Sequence, residues 1–188
     1  MQAEIKRLIR AGRALWEEGL VTSHGGNLSC RYKDGIIITK TGTRLGFLEE
    51  KDFTIVPINS NPQEHPEASS ELVVHLEIYK KTEAQAVIHA HPPFTVALSL
   101  QINEIVPLDT EGLLTFKRCP VIEVEEASAS FELAQKAASH MEHYEIICVK
   151  GHGTFSAARD VEKALFLTSA VEFASKILLL NQVIKALL

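Results

Sequence analysis

The sequence predicts one α/β or α+β domain. Apolar runs with strand-like alternation and runs with helical spacing are interspersed along the chain without strict βαβ alternation. The 188 residues suffice for one well-buried core and are short for two. No internal repeat, low-complexity tract or linker-like stretch divides them. A hydrophobic content of 46 % and a charged content of 23 % are ordinary for a soluble globular domain.

The elements follow in order. Residues 2–18 place Ile5, Leu8, Ile9, Leu15 and Trp16 on one helix face, and Gly19 offers a stop. "GGNLSCRYKDGIIITKTG" reads as a hairpin in which Leu28, Cys30 and Tyr32 alternate, "KDG" turns and "IIIT" returns. "DFTIVPI" is a further strand, and "NSNPQEHPEASS" is a polar, proline-marked loop. "SELVVHLEIYKK" has helical spacing, with Ser69 or Ser70 as N-cap. "AQAVIHAH" is a strand and "PFTVALSL" a helix. "CPVIEV" is a strand, "SFELAQKAASHM" a helix capped by Ser130, and "YEIICVKGHG" a strand running into a tight glycine loop. A long helix from about Asp160 closes the chain. Its segment "ALFLTSAVEFASKILLLNQVIKALL" is very apolar, but Glu172 and Lys176 interrupt it. It falls short of the roughly 20 uncharged residues of a membrane span and reads as a core or subunit-interface helix.

Bulk chemistry narrows the function classes. A net charge of −5 with Lys and Arg spread along the chain argues against nucleic acid and against a membrane surface as partner. The charged N-terminus has no signal-like apolar core. Cys30, Cys119 and Cys148 are few, odd in number and far apart, which predicts reduced thiols in a cytoplasmic protein.

The residues suited to chemistry begin with "AVIHAHPPF" (86–94). His89 and His91, at i and i+2 of an extended chain, point to one face where prolines end the strand. Alone, such a pair decorates a strand as readily as it binds a metal. His152 in "GHG" follows another apolar strand and is either a turn histidine or a third ligand. Three imidazoles with one open position are the pattern of a catalytic zinc and also suit other divalent transition metals. Glu71 falls in the first turn of a predicted helix, where a carboxylate complements the dipole whatever its chemistry. His75 shares its face at i+4 and reads as a core or surface histidine, with support of a ligand as the alternative. His24, His65, His140 and His143 read as surface or loop residues. "HGGNLS" (24–29), "TKTGT" (39–43) and "ASSE" (68–71) offer hydroxyls, amides and free N–H groups that together could cradle a phosphate.

The ordered set "GGNLS", "TKTG", "SSE", "HAHP" and "GHG", followed by the helix "DVEKAL", resembles the class II aldolase/adducin-head family from the first helix to about residue 180. The resemblance implies a single α/β domain over residues 1–188, with a central, largely antiparallel β-sheet flanked by helices. It also implies a ring-shaped homotetramer with active sites between subunits. His89, His91 and His152 would hold one zinc, or another divalent metal, per subunit. Glu71 would be the catalytic acid/base, near or on the metal. Gly26, Asn27, Thr41, Gly42, Ser69 and Ser70 would hold a substrate phosphate.

The implied reaction is reversible cleavage of a sugar 1-phosphate, with L-fuculose 1-phosphate the first candidate, to dihydroxyacetone phosphate and an aldehyde. Such a cleavage must stabilise an enediolate. A Lewis-acid metal does so, a nearby carboxylate moves the proton at carbon, and the phosphate cup fixes the ketose. The family's fuculose-phosphate enzymes carry a tyrosine, implicated in protonating the leaving aldehyde, in the stretch matching "VPLDTEG". Here Glu111 takes that place with Asp109 nearby, which leaves the sugar open. The chain ends at Leu188, so the family's flexible C-terminal tail is expected to be missing or minimal. Methylthioribulose-1-phosphate dehydratases share the histidines and a glutamate but have longer insertions. Pentulose-5-phosphate 4-epimerases tend to carry "SSD" and a longer C-terminal region. These two activities rank second and third. An adducin-like interaction module would lack the three histidines, and a structural zinc would require four closed protein ligands, with Glu71 as the fourth.

Overall fold

The computed structural model describes all 188 residues. Helix α1 (Gln2–Glu17) buries Ile5, Leu8, Ala11 and Leu15; of the predicted stripe, Ile9 is only half-buried and Trp16 is exposed. It ends in a Schellman motif. The Leu20 N–H donates to Leu15 O, the Gly19 N–H donates to Trp16 O, and Gly19 has φ +71°. Strands β1 (Asn27–Tyr32) and β2 (Gly35–Thr39) form the predicted hairpin. Its turn is only Lys33–Asp34: Gly35 already pairs with Tyr32, and Lys33 takes the positive φ of +54°. Strand β3 (Phe53–Pro57) pairs with β2.

Helix α2 (Leu72–Lys81) begins later than expected. Glu71, rather than Ser69 or Ser70, occupies the N-cap, and no side chain caps from that position. The Ser69 hydroxyl instead accepts the Glu71 N–H at 3.3 Å, one step before the helix. This correction moves Glu71 out of the first helical turn. Strand β4 (Ala86–Ala90) and helix α3 (Pro93–Ser99) follow as predicted.

Strand β5 (Glu104–Ile105), helix α4 (Thr110–Thr115) and strand β8 (Gly153–Ala158) are additions to the predicted elements. Between them lie β6 (Cys119–Ile122), which stops short of the predicted "EV", then α5 (Phe131–Met141) with Ser130 as its N-cap, and β7 (Ile146–Val149). Helix α6 (Val161–Leu187) closes the chain, capped by Asp160.

The eight strands run in the order β3-β2-β1-β4-β8-β7-β6-β5. Every pairing is antiparallel except β6 with β7, the pair linked by the crossover helix α5. Alternation sorts the side chains to two faces. Leu28, Ile37 and Ile88 join a core with α1 and α6, while Ile36, Ile38, Val87 and Phe155 join a second core with α2 and α5. His89 shares the parity of Val87 and therefore faces the α2 side.

By length and apolar composition α6 alone could cross a membrane, yet its first half is a core helix. Glu172 within it is 1 % exposed. Its carboxylate accepts the Phe94 and Thr95 N–H groups at 3.2 and 2.9 Å and the Thr95 hydroxyl at 3.0 Å. It thereby caps α3 from a neighbouring helix. All three cysteines are buried free thiols, and burial pushes Cys30 and Cys148 up to about 12.

Candidate active site

The central strands β1, β4 and β8 end together, and the site lies at that end. His89 pairs with Asn27 on β1 and with Phe155 on β8. The His89 ring stacks on Phe155 with centroids 4.2 Å apart. His91 follows one strand repeat later, and His152 comes from the turn between β7 and β8. Their ligand atoms all lie within 4.8 Å of one another.

Two glycines make room for this arrangement. A Cβ at Gly25 would stand 2.8 Å from His91 Nδ1, and one at Gly26 would stand 2.7 Å from the His89 carbonyl oxygen. Gly26 also takes φ +81°, a conformation that a side chain disfavours.

The donor set fits a divalent transition metal. His89 Nδ1 is 3.0 Å from Thr154 O, so it carries the ring proton and leaves the Nε2 lone pair free. That lone pair faces His91 Nε2 at 2.9 Å. A hydrogen bond from the His91 N–H satisfies that separation, and a cation shared by the two nitrogens would replace its proton. His152 Nδ1 is buried with no protein hydrogen-bond partner. Burial, reinforced by the neighbouring imidazoles, lowers His89 well below the ordinary histidine value and His91 to about 4. Both rings are therefore neutral near pH 7, as ligands must be.

A cavity of about 160 Å³ opens over the three histidines and has no hydrophobic side chain in its wall. All ten sequence-predicted site residues line it. Gly26 and Asn27 come from the start of β1, Thr41 and Gly42 from the turn after β2, and Ser69, Ser70 and Glu71 from the entry to α2. The N–H groups of Gly42 and Ser70 have no acceptor within the protein, which leaves two donors for an anion. Five further residues line the same space: His24, Gly25, Lys40 and Thr43, which belong to the quoted clusters "HGGNLS" and "TKTGT", and Ser128, which sequence reasoning passed over.

The Glu71 carboxylate is 3 % exposed and lies outside the close imidazole group. It accepts the Ser128 hydroxyl at 2.7 Å and the Ala129 N–H at 3.1 Å. Ala129 takes φ +54° to aim that N–H. The carboxylate is thus held at the cavity wall by the loop before α5.

His75 is a fully buried core histidine, as the plainer expectation had it, and burial lowers it to about 3. It also touches the site, through a 2.6 Å bond from Nε2 to Asn27 Oδ1. Asp109 and Glu111 stand outside the cavity. Asp109 caps α4 by accepting the Gly112 N–H at 2.8 Å, and Glu111 is exposed on that helix. His65, His140 and His143 lie away from the cavity.

Residues 6–179 match the family described as Class II Aldolase and Adducin N-terminal domain. An L-fuculose phosphate aldolase of Methanocaldococcus jannaschii is 33 % identical over 181 residues, 96 % of this chain and 98 % of that one. The crystal structure of the L-fuculose-1-phosphate aldolase from Thermus thermophilus superposes with a TM-score of 0.94 at 32 % identity, covering 99 % of this chain and 97 % of that one. A 3-oxo-tetronate 4-phosphate decarboxylase of Haemophilus influenzae is 33 % identical over 103 residues, 54 % of this chain and 49 % of that one. The near full-length relatives support an aldolase, hence a lyase. A match that spans the whole sheet and every residue of the cavity settles the ancestry: the chain belongs to the class II aldolase and adducin N-terminal domain family.

Proposed function

We propose that the protein is a zinc-dependent class II aldolase that reversibly cleaves L-fuculose 1-phosphate, or a close sugar 1-phosphate, to dihydroxyacetone phosphate and an aldehyde. The observation that carries this reading is the convergence of three imidazoles, a tethered carboxylate and free N–H donors on one small polar cavity. His89, His91 and His152 hold the metal, which supplies Lewis-acid polarisation of the carbonyl when bound.

The chain's own residues do the rest. Gly26, Asn27, Thr41, Gly42, Ser69 and Ser70 bind the phosphate and orient the ketose, so that the bond to be broken lies between the imidazoles and Glu71. Glu71 moves the proton at the carbon that remains with the phosphate fragment. Its tether to Ser128 and Ala129 keeps the carboxylate facing the substrate.

The protein acts in the cytoplasm as a homotetramer, with neither nucleic acid nor membrane as partner. The run of exposed apolar side chains Leu108, Leu113 and Leu114 around α4 supports a subunit contact there.

A coupled assay for dihydroxyacetone phosphate release from L-fuculose 1-phosphate tests the proposal. Release is expected to disappear on chelation and to return with zinc. No release from zinc-loaded protein would overturn it, and methylthioribulose 1-phosphate would be the next substrate to try.

A further inference from the structure

One buried polar chain ends at the cavity, and of its members only Asn27 has a part in the chemistry above. Asn27 and Ser29 alternate onto one face of β1, and His75 and Tyr79 share one face of α2 at i and i+4. The two faces meet. Tyr79 OH lies 2.9 Å from Ser29 Oγ, and Ser29 Oγ lies 2.6 Å from His75 Nδ1. His75 Nε2 lies 2.6 Å from Asn27 Oδ1. All four side chains are buried.

Hydrogen-bond accounting gives this chain a direction. Asn27 Oδ1 can only accept, so the ring proton sits on His75 Nε2. His75 Nδ1 then accepts from the Ser29 hydroxyl, and Ser29 Oγ accepts from the Tyr79 hydroxyl. With its carbonyl oxygen committed inward, Asn27 has only its NH₂ group left for the cavity. A flipped amide would set a carbonyl oxygen against an incoming anion and break the bond to His75 Nε2.

We propose that His75 is a positioning residue that, with Ser29 and Tyr79, locks the Asn27 amide so that it presents N–H donors to the substrate phosphate. The proposal rests on the cavity being a phosphate site. It assigns a purpose to a histidine that touches neither metal nor substrate.

The test measures inorganic phosphate binding by calorimetry and, in parallel, KM and kcat. The proteins are the wild type, Asn27→Ala, His75→Leu, Ser29→Ala and the double variant Asn27→Ala/His75→Leu. His75→Leu is expected to weaken phosphate about tenfold, in the range of one charge-assisted hydrogen bond. The change should appear in KM rather than kcat. Ser29→Ala, which removes a single hydroxyl and keeps the His75 ring, is expected to shift affinity in the same direction by less. It carries the test if His75→Leu does not fold. The double variant is expected to bind no more weakly than Asn27→Ala alone, because His75 acts only through Asn27. A merely structural role would make the two losses add, and that result overturns the proposal, as does unchanged affinity in His75→Leu and Ser29→Ala. A wild type that binds no phosphate sinks the phosphate-site reading itself.

Discussion

At the scale of single residues, the site sets neutral imidazoles in one cavity with a buried, tethered carboxylate, the base of the proposed reaction. His89 and His91 are kept neutral by burial and by the neighbouring imidazoles, while the Glu71 carboxylate is fixed by two hydrogen bonds. Glu71→Gln keeps the shape and removes the base. Turnover is expected to fall by at least about a hundredfold, with zinc content and far-UV spectrum unchanged. Zinc analysis beside the coupled assay checks this, and full activity would remove Glu71 from the mechanism. Buried neutral rings also make stability depend on acid. His75 and His91 titrate near 3 and 4 in the fold and near 6.5 in the unfolded chain. Below about pH 6.5 the unfolded chain binds protons that the fold refuses, so the stability present above that pH is lost as pH falls toward the folded values. The thermal midpoint of metal-free protein should drop steadily from about pH 7 to about pH 4, and a flat profile would contradict it. The three clustered histidines are legible in sequence because few residue types bind transition metals and the spacing of His89 and His91 carries geometry. Ser128 is not. It is a common loop residue, and only its hydrogen bond to Glu71, 57 residues away, brings it to the cavity.

At the scale of elements, local periodicity predicts what local forces decide. Helix α1 has its stripe and its glycine stop in the sequence, and the β1–β2 hairpin has its alternation. Strand β8 is different. "GTFSAA" is poor in β-branched and aromatic residues, and it is a strand because β4 and β7 pair with it on both sides. Helix α4 is six residues long and built around Asp109, too short for a period to show. The start of α2 moves because Ser69 satisfies a donor upstream of the helix. Glu172 shows the limit most clearly. In sequence it only breaks an apolar run, while in the fold it binds the first N–H groups of α3 just beyond His91. Glu172→Ala leaves those donors buried without an acceptor. Urea unfolding should show a loss of about 2–4 kcal/mol. A change below about 0.5 kcal/mol, the scatter of neutral surface substitutions, would mean that the cap is dispensable.

At the scale of the whole molecule, apolar side chains remain on the surface. Leu113 and Leu114 on α4, and Leu180, Val183 and Ile184 on the outer half of α6, are more than 40 % exposed. A single chain read by periodicity shows α6 as apolar all round and cannot say which half meets its own core. Leu114→Glu places a charge on the α4 surface, where a subunit contact is proposed. Light scattering is expected to show a smaller species than the wild type, and an unchanged mass would exclude α4 from the contact. The strand order bears on how the site comes into being. β4 sits between β1 and β8, so two of the histidines and the third are brought together only by a long-range pairing. On the ribosome His89 and His91 emerge while β8 is still unmade, and His152 follows His91 by 61 residues. Of the three imidazoles in the proposed metal site, a nascent chain at that stage carries only His89 and His91. The proposed metal site is complete only once His152 has been made and the sheet has closed, so loading of a metal there is expected to be coupled to that closure.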